Sequence, residues 1–118
     1  MNEQIETIFK GFTVDGVEIP VYFVYYFGHG EPYIVYSETN KDTVYSCDNG
    51  ISNYVSYYDF DIYSKANFLK IKEEVHKILV ANGWTWQPDL ESSDMYEADT
   101  GYFHKTACYA IERSVNNG

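Results

Sequence analysis

Residues Tyr57–Trp86 read YYDFDIYSKANFLKIKEEVHKILVANGWTW, and the spacing of apolar residues changes twice within that stretch. Over Tyr54–Tyr63 it is two. Tyr54, Ser56, Tyr58, Phe60 and Ile62 share one side, and Val55, Tyr57, Asp59, Asp61 and Tyr63 share the other, the alternation of a strand. From Phe68 it becomes three and four. Phe68, Ile71, Val75, Ile78 and Leu79 form an apolar stripe, and Lys70, Lys72, Glu73, Glu74 and Lys77 form a wet side with Glu73 placed to pair with Lys77. The spacing predicts a helix over about 64–82, with Ser64 as N-cap and Gly83 as the left-handed residue past its end. The Tyr58 side of the strand is expected to meet that helix. A new strand starts at Trp84–Gln87, where Pro88 limits its ladder.

Downstream, Met95–Arg113 supplies one more strand over Tyr102–Arg113. Phe103, Ala107, Tyr109 and Ile111 make one of its faces; Tyr102, His104, Thr106, Cys108 and Ala110 make the other. Upstream, Ile5, Ile8 and Phe9 fall on one side of a short helix over 3–10 that Gly11 ends. Asp15-Gly16 is a turn. Val21–Phe27 is a strand apolar on both faces, broken by Gly28-His29-Gly30, and Tyr33–Ser37 is the next, opened by Pro32. Residues 38–53 carry a β-prone piece, Thr43–Cys47, before Asn49-Gly50, a hairpin-turn dipeptide. They read either as a projecting β-hairpin or as a surface loop. The expected architecture is α+β. It has a mostly antiparallel sheet of four or five strands, one main helix packed on it, a short N-terminal helix and the hairpin over about 38–53.

The chain has 118 residues, the size of one domain, taken as 1–118. Its net charge is −10, from 18 acids against 8 bases. No basic stripe exists to neutralise phosphates, which argues against direct or sequence-specific nucleic-acid binding, and equally against an anionic membrane surface. Thirteen tyrosines suit strand faces and wet interfaces alike. The N-terminal MNEQIETIFK has neither the basic start nor the apolar run of a signal peptide. With Cys47 and Cys108 as its only cysteines, the chain reads as a protein made in a reducing cytoplasm with both thiols free.

Chemical motifs are sparse. His29, His76 and His104 share no metal-ligand spacing. Asp59 and Asp61 put two carboxylates on one strand face, an arrangement that serves a divalent cation or glycosyl chemistry but that any two acids so spaced produce. The acids of Asp89–Asp99 lack the glycine and glutamate positions of a calcium loop. There is no phosphate loop, nucleophile elbow or CxxC. Trp84 and Trp86 alternate onto one face as core or as a partner's anchor. These readings predict no catalytic residues, no metal and no cofactor.

The FDIYSK of Phe60–Lys65 running into a single helix, the helix-ending ANGW of Ala81–Trp84, and the acidic approach to YEADTGYFHKTACYAI at Tyr96–Ile111 form a pattern. In it, residues 54–113 resemble the tail terminator proteins (tail completion, head–tail joining) of long-tailed phages and their prophage remnants. His104-Lys105 matches the family's late His-Lys pair, and the N-terminal half agrees in outline. The resemblance implies an antiparallel sheet flanked by helices, without catalysis or cofactor. It also implies a homo-oligomeric ring, usually of six copies, that stops tail-tube polymerisation and meets the head connector. The partners would be the tail-tube and head-closure proteins, with DNA passing through an acidic lumen, and the location would be the head–tail junction of a virion made in a bacterial host. The candidate interface residues are Tyr22, Tyr26, Tyr45, Tyr57, Asp59, Asp61, Trp86, Asp94 and Asp99. Two rivals stand beside this reading. One is an acidic DNA mimic that blocks a DNA-binding partner. The other is a metal-dependent enzyme using Asp59 and Asp61 with Asp94 or Asp99.

Overall fold

The computed structural model of this chain describes residues 2–24, 32–45, 50–65, 68–92, 95–98 and 101–114. Helix α1 spans Asn2–Ile8, and strands β1 (Thr13–Val14) and β2 (Val17–Glu18) follow. Strands β3 (Val21–Phe23), β4 (Tyr33–Tyr45) and β5 (Ile51–Ser64) lead to helix α2 (Phe68–Ala81). Strand β6 (Thr85–Trp86), a 3₁₀ turn at Pro88–Leu90, β7 (Met95–Glu97) and β8 (Tyr102–Ser114) complete the order. The fold is α+β.

The main sheet runs β3-β4-β5-β8-β6, with β7 also on β8. It is mixed: β3 lies parallel to β4, and the remaining pairs are antiparallel. Six described strands therefore replace the expected four or five. The short β6 and β7 share the outer edge of β8 along its length, which one continuous segment in the sequence did not announce.

Alternation along β5 is as expected. Ser56, Tyr58, Phe60, Ile62 and Ser64 are buried, and the residues between them are half-buried. Antiparallel register extends that face sideways, setting Phe60 between Tyr36 of β4 and Ala107 of β8. Both helices lie on this side. Ile71, Val75 and Leu79 of α2 and Ile5 of α1 are buried in one core with Phe9, Phe60 and Trp84. Phe60 is the hub of an aromatic cluster, with ring centroids of Phe9, Tyr36, Trp84 and Tyr109 between 5.9 and 6.1 Å from its own. Such pairs add to burial about 0.5–1.5 kcal/mol each.

Three sequence expectations are refined. Ser64 is the buried last residue of β5, paired with Phe103; α2 is described from Phe68, and residues 66–67, on which a cap at Ser64 would act, lie outside the described residues. Pairing with β8 extends β5 past the point where the apolar period breaks. The Val21–Phe27 strand is ordered as such only over Val21–Phe23, because Val24 turns out of it at φ 65°, and 25–27 lie outside the described residues. The 38–53 stretch is the distal half of the long β4/β5 pair, with β8 beside it up to Ser114, so that end of the sheet is three strands wide. The molecule is accordingly elongated, 53 Å by 27 by 24 Å. The Asn49-Gly50 turn falls partly outside the described residues.

Local signals for the turns are met. Asp15 and Gly16 both have positive φ, 53° and 80°, as a two-residue turn between β1 and β2 requires. At the end of α2, Gly83 stands at φ 89°. Its N–H bonds to Val80 O at 3.2 Å, and the Trp84 N–H reaches back to Leu79 O at 3.0 Å. That is the paired-bond Schellman ending, with Trp84 and Leu79 both in the core. A Cβ on Gly83 would meet nothing within 4 Å, so its cost is conformational only. Gly83→Ala is expected to lower unfolding free energy by about 1–2 kcal/mol. Urea denaturation checks this, and an unchanged midpoint would contradict it.

Candidate functional site: the open face of the sheet

The second face of the sheet has no described helix against it. Residues between the buried ones point there: Val55, Tyr57, Asp59, Asp61 and Tyr63 on β5, with His104, Thr106, Cys108 and Ala110 of β8 at paired positions. Val35, Ser37, Asn40 and Asp42 of β4 continue it on the other side.

At one end the face is aromatic. The Tyr63 ring stacks between Tyr33 and His104, with centroids 4.7 and 4.2 Å away at near-parallel tilt. Asp61 ties this stack down. One of its oxygens, Oδ1, accepts a hydrogen bond from Thr106 Oγ1 at 2.5 Å and lies 3.3 Å from His104 Nε2. Burial, then the Asp61 charge, Tyr33 and Glu97 push the Tyr63 hydroxyl up to about 12. Its ring therefore stays neutral and packable through the physiological range.

The middle is polar and half-dry. Asp59 stands beside Asp61, and its carboxyl is held above the ordinary value first by burial and then by the Asp61 charge; a hydrogen bond from the Cys108 thiol works the other way. Cys108 is 1% exposed, and burial and Asp59 push its thiol up to about 11. Further out, the Tyr57 hydroxyl hydrogen-bonds Asp42. Thr39, bulged out of register in β4, donates through its hydroxyl to Tyr57 O at 3.3 Å. The 3₁₀ turn rims this region. Between Tyr57, Asp59 and Cys108 on one side and Asp89 and Leu90 on the other lies an open cleft of about 570 Å³.

The covered face treats its acids differently. Glu91 accepts a bond from the Trp86 indole N–H and lies 3.5 Å from Lys72 Nζ and 3.7 Å from Lys105 Nζ. Lys105 also donates to Ser92 O at 2.7 Å. His76 and Tyr109 share a 2.7 Å hydrogen bond beneath Trp86.

Of the candidate interface residues, the sheet brings Tyr57, Asp59 and Asp61 together, with Tyr22 on the same face two strands away, opposite Val35. Tyr45 ends β4 opposite Ile51, at the distal tip. Trp86 lies on the other face, 39% exposed, over His76 and Lys72, so it joins no surface with the β5 group. Both tryptophans lie on this helix-covered side, Trp84 buried against Tyr58 and Phe60 and Trp86 partly exposed. Tyr26, Asp94 and Asp99 lie outside the described residues, as do His29 and Cys47. Among the described residues no three His, Cys, Asp or Glu side chains converge as a metal site, and no helix is long and apolar enough to cross a membrane. No model of a known protein family matches the chain, and no curated protein sequence matches it.

Sequence reasoning missed Asp42, Asp89 and the partners of Asp61. Both strands had been divided correctly into faces; what was missing was which face of β8 pairs with which face of β5.

Two predictions follow from the buried groups. A carboxyl whose folded pKa is raised favours the fold more when protonated, so its effect on stability worsens as pH climbs past the ordinary carboxylate range. Asp59→Asn, which keeps an oxygen for the Cys108 thiol, is therefore expected to raise the melting temperature at pH 7 and to lose that advantage toward pH 3. A melting series over pH checks the sign. In a Cys47→Ser background, Cys108 is expected to react with a disulfide reagent at pH 8 roughly a hundredfold more slowly than in urea, since both its thiolate fraction and its access are low. Equal rates would show the thiol open.

Proposed function

We propose that this chain is a structural subunit that works by assembly, as a tail terminator does. It would cap a tail tube in a ring, of six copies as the resemblance implies, and present that ring to the head connector. The observation that supports this best is the one-sided cover of the sheet: helices pack on one face, and the other, rimmed by the 3₁₀ turn, offers tyrosines and carboxylates with no described helix upon it. The sheet's distal end adds a second contact element. There β4 and β5 carry exposed Val44 and Ile51 past the reach of the helices, a shape suited to docking on a neighbour or to strand addition. At −10 per copy, six copies would give a channel a strongly negative field, along which DNA slides without sticking.

A second reading, an acidic protein that imitates DNA, is favoured by the gathering of Asp42, Asp59 and Asp61 on one face. Displacement of DNA from a host nucleoid protein in a competition gel shift would favour it.

For the ring reading the decisive measurement is electron microscopy of tails assembled with the gene deleted. Tails of irregular length, detached from heads, are expected. Normal length with normal head attachment would reject the proposal.

A further inference from the structure

The charges of this molecule are sorted by face. All eight lysines and arginines are among the described residues. Lys70, Lys72 and Lys77 ride on α2 and Lys10 follows α1. Lys41 and Arg113 occupy covered-face positions, with Lys41 Nζ 4.8 Å from the Tyr54 ring and Arg113 reaching Gln4. Lys105 does the same beside Glu91. Only Lys65 reaches the open side, at its end, 5.6 Å from the Tyr102 ring. Asp42, Asp59, Asp61, Glu97 and Glu112 occupy open-face positions in the register, and Asp89 borders the same cleft from the 3₁₀ turn.

The contrast with Glu91 sharpens this. That carboxylate is buried and sits against two lysines and an indole. Asp59 is half-buried as well, yet the groups acting on it are another carboxylate and a thiol. Among the described residues no lysine or arginine meets this carboxylate, which stands next to an aromatic ring and an open space. A lysine or arginine brought by another protein satisfies all three: its stem lies on Tyr57 and Leu90, and its head meets Asp42, Asp59 and Asp89.

We propose that the open face of the sheet is the docking surface for a cationic protein segment, which anchors itself by placing a lysine or arginine side chain in the cleft between Tyr57, Asp59 and Asp89. The occupant is a different protein, because the lysines of α2 already have acids of their own, Lys70 with Asp15, Lys72 with Glu91 and Lys77 with Glu73 and Glu74, while the single arginine reaches Gln4 and Lys65 lies at the end of the open face over Tyr102. On this assignment the face is a contact surface, and the field of a ring's channel comes from net charge. The inference goes beyond the ring reading and deepens the DNA-imitating one by naming where a cationic partner docks; a chain that never forms rings still binds through this cleft.

Calorimetry with a hexa-arginine peptide at 0.1 M salt tests it. Because any acidic protein attracts such a peptide, two variants of equal charge are compared. Asp42→Asn with Asp59→Asn is expected to weaken binding roughly tenfold, and Glu3→Gln with Glu18→Gln, on the helix side, by no more than about twofold. Equal losses would reduce the effect to net charge and overturn the proposal. Amide NMR of the unmodified chain keeps the test independent of variant folding. Peptide-induced shifts centred on Tyr57, Asp59 and Cys108 support it, and shifts confined to α2 overturn it. If the chain self-associates and only the Asp42→Asn, Asp59→Asn variant fails to, the occupant is a second copy and the foreign-partner assignment falls.

Discussion

The register of β5 against β8 is the constraint on which the remaining structure rests. Pairing runs unbroken from Asn53 opposite Ser114 to Ser64 opposite Phe103. Side chains alternate with a period of two, so a slip of one residue would turn Phe60 and Ile62 to the open side and Asp59 and Asp61 into the core. Burying those carboxylates unpaired costs several kcal/mol each, and exposing the rings forfeits about as much again. No neighbouring register offers a comparable minimum. The β4/β5 pair, by contrast, tolerates irregularity, with shifts after Glu38 and after Val44. The central ladder is the rigid member, and the distal reach of β4 is the adaptable one.

From that ladder the helix layer follows. Phe60 presents a ring at the centre of the covered face, and the aromatic residues around it come from α1's exit, β4, β8 and the turn after α2. Each approaches at its own tilt, from 26° to 79°, so the cluster is filled by edges as well as faces. Such a core fixes the position of α2 through side chains far apart in sequence. The Schellman ending then aims Trp84 into the same cluster, coupling a local backbone signal to global packing. Within this core the Tyr36 hydroxyl and the Trp84 indole N–H have no hydrogen-bond partner among the described residues, and burial, then Glu6 and Tyr58, push the tyrosine up to about 12. Both side chains are held for their rings.

Local rules made the fold's elements legible. The period of two in β5, the 3.6-residue stripe of α2, Gly83 and Asp15-Gly16 all act over a few residues, and each is where the sequence placed it. The misreadings share a cause in long-range pairing. The residues after Ser37 are polar, so their period is invisible to a hydrophobic pattern, yet backbone pairing carries β4 on to Tyr45. The parallel placement of β3 requires a crossover that no short motif encodes. For the site, Asp59 and Asp61 were visible as a pair. Cys108, Thr106 and His104 were visible as a face of another strand, but joining them needed the register. Asp89 joins through a turn whose position over the sheet no periodicity reports.

A sheet face left without a helix layer has to avoid pairing with itself. Here the carboxylates are placed to prevent it. Two copies stacked by their open faces would bring Asp59 and Asp61 of each toward the other's. Like charges about 5 Å apart repel by about 3 kcal/mol per pair at an effective dielectric near 20, before counting the cost of drying them. Tyrosines alone on that face would favour such a sandwich. With the acids among them, the symmetric contact is penalised, while contact with a cationic surface gains from the same rings and charges. Copies of this chain that associate are therefore steered away from isologous face-to-face dimers toward contacts through the sheet edges. Where such an edge contact is heterologous, it closes into a ring or runs on as a filament. The sorting of charge between two faces of one sheet thus limits the assemblies open to the chain more strongly than any single residue on it does.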